Sequence, residues 1–251
     1  MTSNCGKSTS PSAMPGDQAQ WVCLVCGYNM IGEMPDFCPF CGARHDQFMA
    51  WDEAETSYRV KGTAVNDTVS QLLSVPKLGL EHAAYRVLTD QGAIWIDSPS
   101  AFNRDLPAVN AILFTHHHFM GASNQYRRLW HAEVRMHELD ALHPLAAAFG
   151  IDKRFSDDFI YGGIQGFHIG GHTPGFTIYI YRDVLFICDY VFLTDKGMCF
   201  NPYGPELETR GCAGRIHAIV SVASLNTVCG YNYVVDFDDW LVAFERLLLD
   251  K

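Results

Sequence analysis

Four cysteines stand in two identical steps. "CLVC" supplies Cys23 and Cys26, "CPFC" supplies Cys38 and Cys41, and eleven residues separate the pairs. A C-x-x-C turn aims backbone N–H groups at the thiolates while both sulfurs reach one ion. Two such turns make a tetrahedral four-thiolate site, which suits zinc or a single iron. A stretch this short has too little core to fold alone, so the metal also does the folding.

A second set is richer in nitrogen. "LFTHHHF" puts His116 and His118 on one side of an extended segment and turns His117 away, because side chains alternate with period two. "GGHTPG" sets His172 in a tight loop between strands, and "LFICDY" sets Asp189 at the end of an apolar strand. Singly, each has a plain structural reading as a hydrogen-bonded residue. Together, three imidazoles and a carboxylate can hold one Fe(II), Zn(II) or Mn(II) with a position left open. Such an ion supports oxygenase-type iron chemistry, or hydrolysis by a zinc-bound water with its pKa near about 7. His168, four residues before His172, reads as a core residue or a support for the ligands. His82, His131, His137, His143 and His217 lack partner spacing and read as surface or helix residues. Cys188, Cys199, Cys212 and Cys229 are not spaced for a site. Cys188 reads as a small core residue, while Cys229, beside Tyr231, is expected near the pocket.

These residues need elements to hold them. Residues 1–20 are Ser/Pro/Gly/Gln-rich and read as a disordered tail. Residues 21–52 form the four-cysteine domain, "DEAETS" at 52–57 reads as a polar linker, and 58–251 form the larger domain. "AAYRVLTDQGAIWIDS" reads as two strands around a turn, and "NAILFTH" as a buried strand ending in histidine. "SNQYRRLWHA" and "MHELDALHPLAAAFG" read as helical. "IQGFHIGGHTPG", "FTIYIYR" and "VLFICDY" read as three further strands. "FDDWLVAFERLLLDK" reads as a C-terminal amphipathic helix capped near Asp238 or Asp239.

The 251 residues are 48% hydrophobic and 18% charged, which suits one full-sized domain plus a small module. A net charge of −10 without a basic run argues against nucleic-acid binding. No apolar run reaches the roughly 18 residues that span a bilayer. No apolar leader stands at the start, and nine cysteines without one suit a reducing, cytoplasmic setting.

The first set resembles a rubredoxin. The resemblance covers residues 21–50 and rests on Trp21-x-Cys23, on Cys-Gly-Tyr at 26–28, and on Cys-Pro-x-Cys-Gly at 38–42. The compact spacing is similar to the rubredoxin-like module of rubrerythrins, although zinc ribbons share the second half. The likeness implies one iron used for one-electron transfer, with structural zinc as the alternative.

From about Tyr58 onward the chain resembles the metallo-β-lactamase fold superfamily, in its glyoxalase II-like and persulfide dioxygenase-like flavour. The motifs are "THHH" at 115–118, "GHTPG" at 171–175, "LFICD" at 185–189 and "VCGYN" at 228–232. The resemblance implies an αββα sandwich with the histidine loops at one edge. It also implies a first metal position formed by His116, His118, His172 and Asp189. The family's second position takes an Asp-His pair where Met120 and Gly121 stand, and a late histidine where Tyr231 stands. The loss is sorted by site, so one iron or zinc is expected here, with Met120 and Tyr231 lining the vacant position. The expected function is a metal-dependent oxidoreductase whose rubredoxin-like module serves a mononuclear iron, with a small-molecule substrate and a redox protein as partner. An ester or thioester hydrolase with a structural zinc knuckle is the alternative, and a non-catalytic scaffold is the third reading.

Overall fold

The computed structural model describes residues 18–249. Most of the segment expected to be a disordered tail lies outside the described residues. Its last residue does not behave as tail. Gln20 is buried, opens the strand Gln20–Cys23 and donates from Nε2 to Asn29 Oδ1 at 2.7 Å.

That strand is the middle of a three-stranded antiparallel sheet, between Asn29–Ile31 and Phe48–Ala50. The expected polar linker is instead a helix, Trp51–Ser57. Its composition is polar, but Ala54 is fully buried with Val22 and Leu78 and pins the turn. Asp52 and Glu53 in its first turn favour the positive helix end.

The larger domain is built on two sheets. The first runs Lys153–Phe155, Glu133–His137, Ala111–Leu113, Gly92–Ile96, Ala84–Thr89, Val69–Val75, Arg59–Ala64. Its first four strands are parallel and the rest antiparallel. The second runs Phe159–Tyr161, Ile164–His168, Thr177–Tyr181, Val184–Cys188, Thr227–Gly230, Val234–Asp236. One buried cluster joins Val69, Tyr85, Val87, Ile94, Ile96 and Leu113 of the first sheet to Ile164, Tyr179, Val184 and Phe186 of the second, so the sheets face each other. Buried tyrosine hydroxyls cross this layer. Tyr179 donates to the Phe114 carbonyl at 2.7 Å and Tyr181 to Leu88 at 3.0 Å, which keeps polar atoms out of apolar space.

Helices cover the outer faces. Ser123–Trp130 packs Tyr126 and Trp130 on Trp95 behind the first sheet. Glu206–Val220, which the sequence reading passed over, and Phe237–Leu249 cover the second. Asp236 caps the last helix, accepting from the Asp238 and Asp239 amides, two positions earlier than the nearer residue expected. "MHELDALHPLAAAFG" is not one helical run. Met136 and His137 end a strand, and two four-residue helices follow, Glu138–Ala141 and Pro144–Ala147. Parallel pairing to Arg154 and Phe155 claims Met136 and His137, and Pro144 starts the second turn afresh.

The small domain is pressed into the larger one. Leu80 N–H donates to the Val25 carbonyl, Asn29 Nδ2 to Ser100 and Asn124 Nδ2 to Gln20 Oε1. Gly27 sits at φ +81, and a Cβ there would stand 2.7 Å from Glu81 Cβ. Glu81 is itself buried, accepting from the Ser74 amide and hydroxyl, and burial pushes it up to about 6. The folded protein thus keeps a proton that the unfolded chain sheds nearer 4.5. The resulting stability is complete below the unfolded value and is lost as pH rises through about 6. Glu81→Gln should remove that slope, worth on the order of 2 kcal/mol, in denaturant midpoints taken across this window. Equal slopes in parent and variant would refute the account.

Candidate metal centres

The two C-x-x-C turns are near copies. Cys23 N–H donates to Tyr28 O at 2.8 Å and Gly27 N–H to Cys23 O at 2.8 Å; Cys38 N–H donates to Ala43 O at 2.7 Å and Gly42 N–H to Cys38 O at 3.0 Å. Gly27 and Gly42 take positive φ, which lets each chain curl back over its sulfurs. The sulfurs meet in one cluster, with Cys23 to Cys41 at 3.7 Å and Cys26 to Cys38 at 3.6 Å. All four lie within 4.8 Å of one another, and only Cys41 is exposed. Hydrogen bonds from Cys26 and Cys38 pull the Cys23 thiol down, while its proximity pushes those two up. Four thiols so close resist full deprotonation unless a cation compensates, so the set fits a thiophilic metal.

The second cluster forms where strands of both sheets end. Ile96 leads to Asp97, Leu113 to Thr115 and His116, and Cys188 to Asp189. Asp97, fully buried, accepts from Thr115 N–H at 2.9 Å and from its hydroxyl, which itself lies 2.9 Å from His116 Nδ1. This fixes the His116 ring with Nε2 toward the site. His116 Nε2 lies 3.5 Å from Asp189 Oδ1, His172 Nε2 3.5 Å from Asp189 Oδ2, and His172 Nε2 3.1 Å from His118 Nδ1. Asn201 Nδ2 holds Asp189 Oδ2 at 2.8 Å.

His117 turns away, as expected. Its ring stacks on His143 at 3.9 Å and approaches Asp140 at 3.3 Å. Asp140, fully buried, also accepts from His117 N–H, from the Thr173 hydroxyl at 2.7 Å and from Gly175 N–H at 2.9 Å. One carboxylate thus fastens the two histidine loops together.

The electrostatics suit a cation. Burial pulls His116 well below its ordinary value and His118 down to about 3, so both are neutral donors at pH 7. Burial alone would raise Asp189, but His116, His172 and His82 override it and hold the carboxylate well below the usual range. His116 Nε2 and Asp189 Oδ1 are buried without a hydrogen-bond partner. Orphaned lone pairs facing one small space are the signature of a missing positive ion. One ligand atom from each of His116, His118, His172 and Asp189 falls within 4.8 Å of the others, so the set fits one metal.

Three readings need correction. His82 is not a surface residue. It is buried, lies 3.7 Å from Asp189 Oδ2, stacks on Phe119 at 3.7 Å and sits 3.6 Å from Cys188 Sγ. His82, Cys188 and Asp189 themselves make a second group able to hold a cation. Cys188 is buried as expected but stands at φ +47, an uncommon conformation for a side chain with Cβ. It breaks the strand's alternation and brings Cys188 and Asp189 into one group. Met120 does not line this space. It is fully buried in the core behind the first sheet with Ala101 and Ala122, whereas Tyr231 lies 5.5 Å from His82. Cys229 is sealed between the sheets rather than near a pocket. His168 supports the His172 loop from Nε2 to Pro174 O at 2.9 Å, stacked on His137. Only a weak signal marked His82 in the sequence, a histidine directly before a buried strand.

His172→Ala should release the metal of this cluster and leave the cysteine-bound one. Elemental analysis should fall from about two metals per chain to about one. A count that does not change, or a parent count of three, would overturn the ligand set. Asp140→Ala leaves three buried donors unpaired. It should weaken metal binding at the histidines by about 10–100-fold and lower thermal stability, measured by chelator competition and calorimetry.

The rubredoxin-like domain of rubrerythrin matches residues 21–49. No curated protein matches the chain. Among solved structures, the DIM-1 metallo-β-lactamase is 13% identical with a TM-score of 0.57, over 76% of this chain and 96% of that one. The TMB-1 structure is also 13% identical with a TM-score of 0.57, over 74% and 97%. An archaeal metallo-β-lactamase superfamily protein from Sulfolobus tokodaii is 16% identical with a TM-score of 0.50, over 68% and 81%. Such identities speak to architecture alone. The chain therefore joins an N-terminal rubredoxin-like domain to a metallo-β-lactamase fold with two clusters suited to metal.

Proposed function

We propose that the protein is a metal-dependent oxidoreductase. In this reading the four-cysteine domain carries single electrons to one iron held by His116, His118, His172 and Asp189, which acts on a small molecule. The observation that carries the reading is the place of Phe40. It stands between Cys38 and Cys41 in the chain, and its ring lies 5.1 Å from that of His118. A knuckle that served only to hold its own domain together has no need to touch the other cluster.

The surroundings of the histidine cluster are rich in aromatic rings. Phe119 and Tyr231 ring the cluster through His82, and Phe192 lies 4.6 Å from Tyr231. Bound iron would supply redox chemistry. The chain's own residues supply neutral imidazoles, an anionic carboxylate and exclusion of water.

The test is metal content and colour of the purified full chain. Iron in both clusters is expected, with a ferric-thiolate colour that one-electron reductants bleach and that returns faster in the parent than in His172→Ala. Zinc in both clusters, and no bleachable colour, would replace this reading with ester or thioester hydrolysis and a structural knuckle. Metal at the cysteines alone would leave a binding role.

A further inference from the structure

We infer that Phe40 is a positioning residue for His118, so that the four-cysteine domain completes the histidine cluster. The inference rests on both clusters holding metal, and does not depend on electron transfer between them.

The four ligands are not braced alike. His116 is held through Thr115, Asp189 through Asn201, and His172 is approached by Asn201 at 3.3 Å. His118 differs. Its Nδ1 faces His172, and among the described residues its Nε2 receives no hydrogen bond. It is also the one ligand of the four that is not fully buried. A metal-bound imidazole ordinarily gives its outer N–H to an acceptor that fixes the ring. Here ring packing takes that place. Its ring neighbours are His116, His117 and His172 at 4.6–4.8 Å, and Phe40 at 5.1 Å with an edge-on tilt of 64°. Phe40 is the one that comes from the other domain.

Phe40 is in turn set by the cysteines. Its N–H donates to the Cys38 sulfur, and its ring is wedged between Tyr28 at 4.6 Å and Phe119 at 5.5 Å. The turn it belongs to packs in a small cluster in which three of the cysteines stand with Tyr28 and Phe48, so the sulfurs are a large part of what holds it. Metal at the cysteines therefore fixes Phe40, and Phe40 fixes His118. Such coupling is reciprocal: each cluster, when loaded, raises the affinity of the other.

The experiment is zinc binding to the full-length chain, measured by competition with a chromophoric chelator. Phe40→Ala should weaken zinc at the histidines by about 10–100-fold, the usual cost of losing a ligand's support, and leave the cysteine affinity unchanged while the histidine cluster is empty. Phe40→Trp should hold close to parent. Cys38→Ser/Cys41→Ser should weaken the histidine cluster as much as Phe40→Ala, and combining them should add nothing more. Long-range imidazole NMR of the zinc-loaded protein should show the His118 ring resonances, and not those of His116, moving in Phe40→Ala. The inference is overturned by parent-like affinity in Phe40→Ala, or by losses that add in the combined variant. A parent that takes up zinc only at the cysteines overturns the inference together with the metal assignment beneath it.

Discussion

The architecture turns on one buried carboxylate, Asp140. It receives the His117 amide from a loop of the first sheet, and the Thr173 hydroxyl and Gly175 amide from a loop of the second. Two sheets that pack through apolar side chains can slide relative to each other at little cost. Directional bonds to one atom pair cannot slide. Burial opposes the charge of Asp140, yet His117, Thr173 and Gly175 overcome it and keep its pKa low. A low dielectric strengthens each of these bonds, so the loops are registered before any ion arrives.

Two other carboxylates at the same sheet edge show how placement divides labour. Burial pushes Asp97 up to about 7 despite its bonds from Thr115, whereas the imidazoles around Asp189 keep it anionic. Asp97 orients, through Thr115, a ring that it never touches. Asp189 supplies the negative charge that offsets part of a cation's own. Neither could exchange roles, because one faces the hydroxyl of a threonine and the other faces the space shared by three imidazoles.

Local chemistry was readable in the sequence wherever it was written within a few residues. Paired C-x-x-C turns, the two-residue period of "THHH" and the strand-end aspartate each carry their geometry with them, and the two facing sheets follow from the motifs around them. Contacts made across the fold were not readable. Asp140 is one acidic residue in "HELDAL", with nothing to distinguish it from a solvated helix residue. His82 stands more than a hundred residues before Asp189 along the chain. The helix Trp51–Ser57 hid behind its polar composition, because a single buried alanine decides it. Met120 was placed by alignment to a vacant metal position, but an apolar side chain in the loop after that strand goes where other apolar atoms are.

The seam between the two domains bears on how such a chain is inherited. Leu78 of the larger domain shares a buried cluster with Val22 and Ala54. Gly27 and Gly79 leave no room for a Cβ against the opposite side, Gly79 facing the backbone of Val25. Domains that recombine freely between proteins meet through surfaces tolerant of many side chains. This pair meets through interlocked backbone, so neither half can be shuffled onto a new neighbour without a steric clash, and substitutions on one side of the seam are answerable to the other.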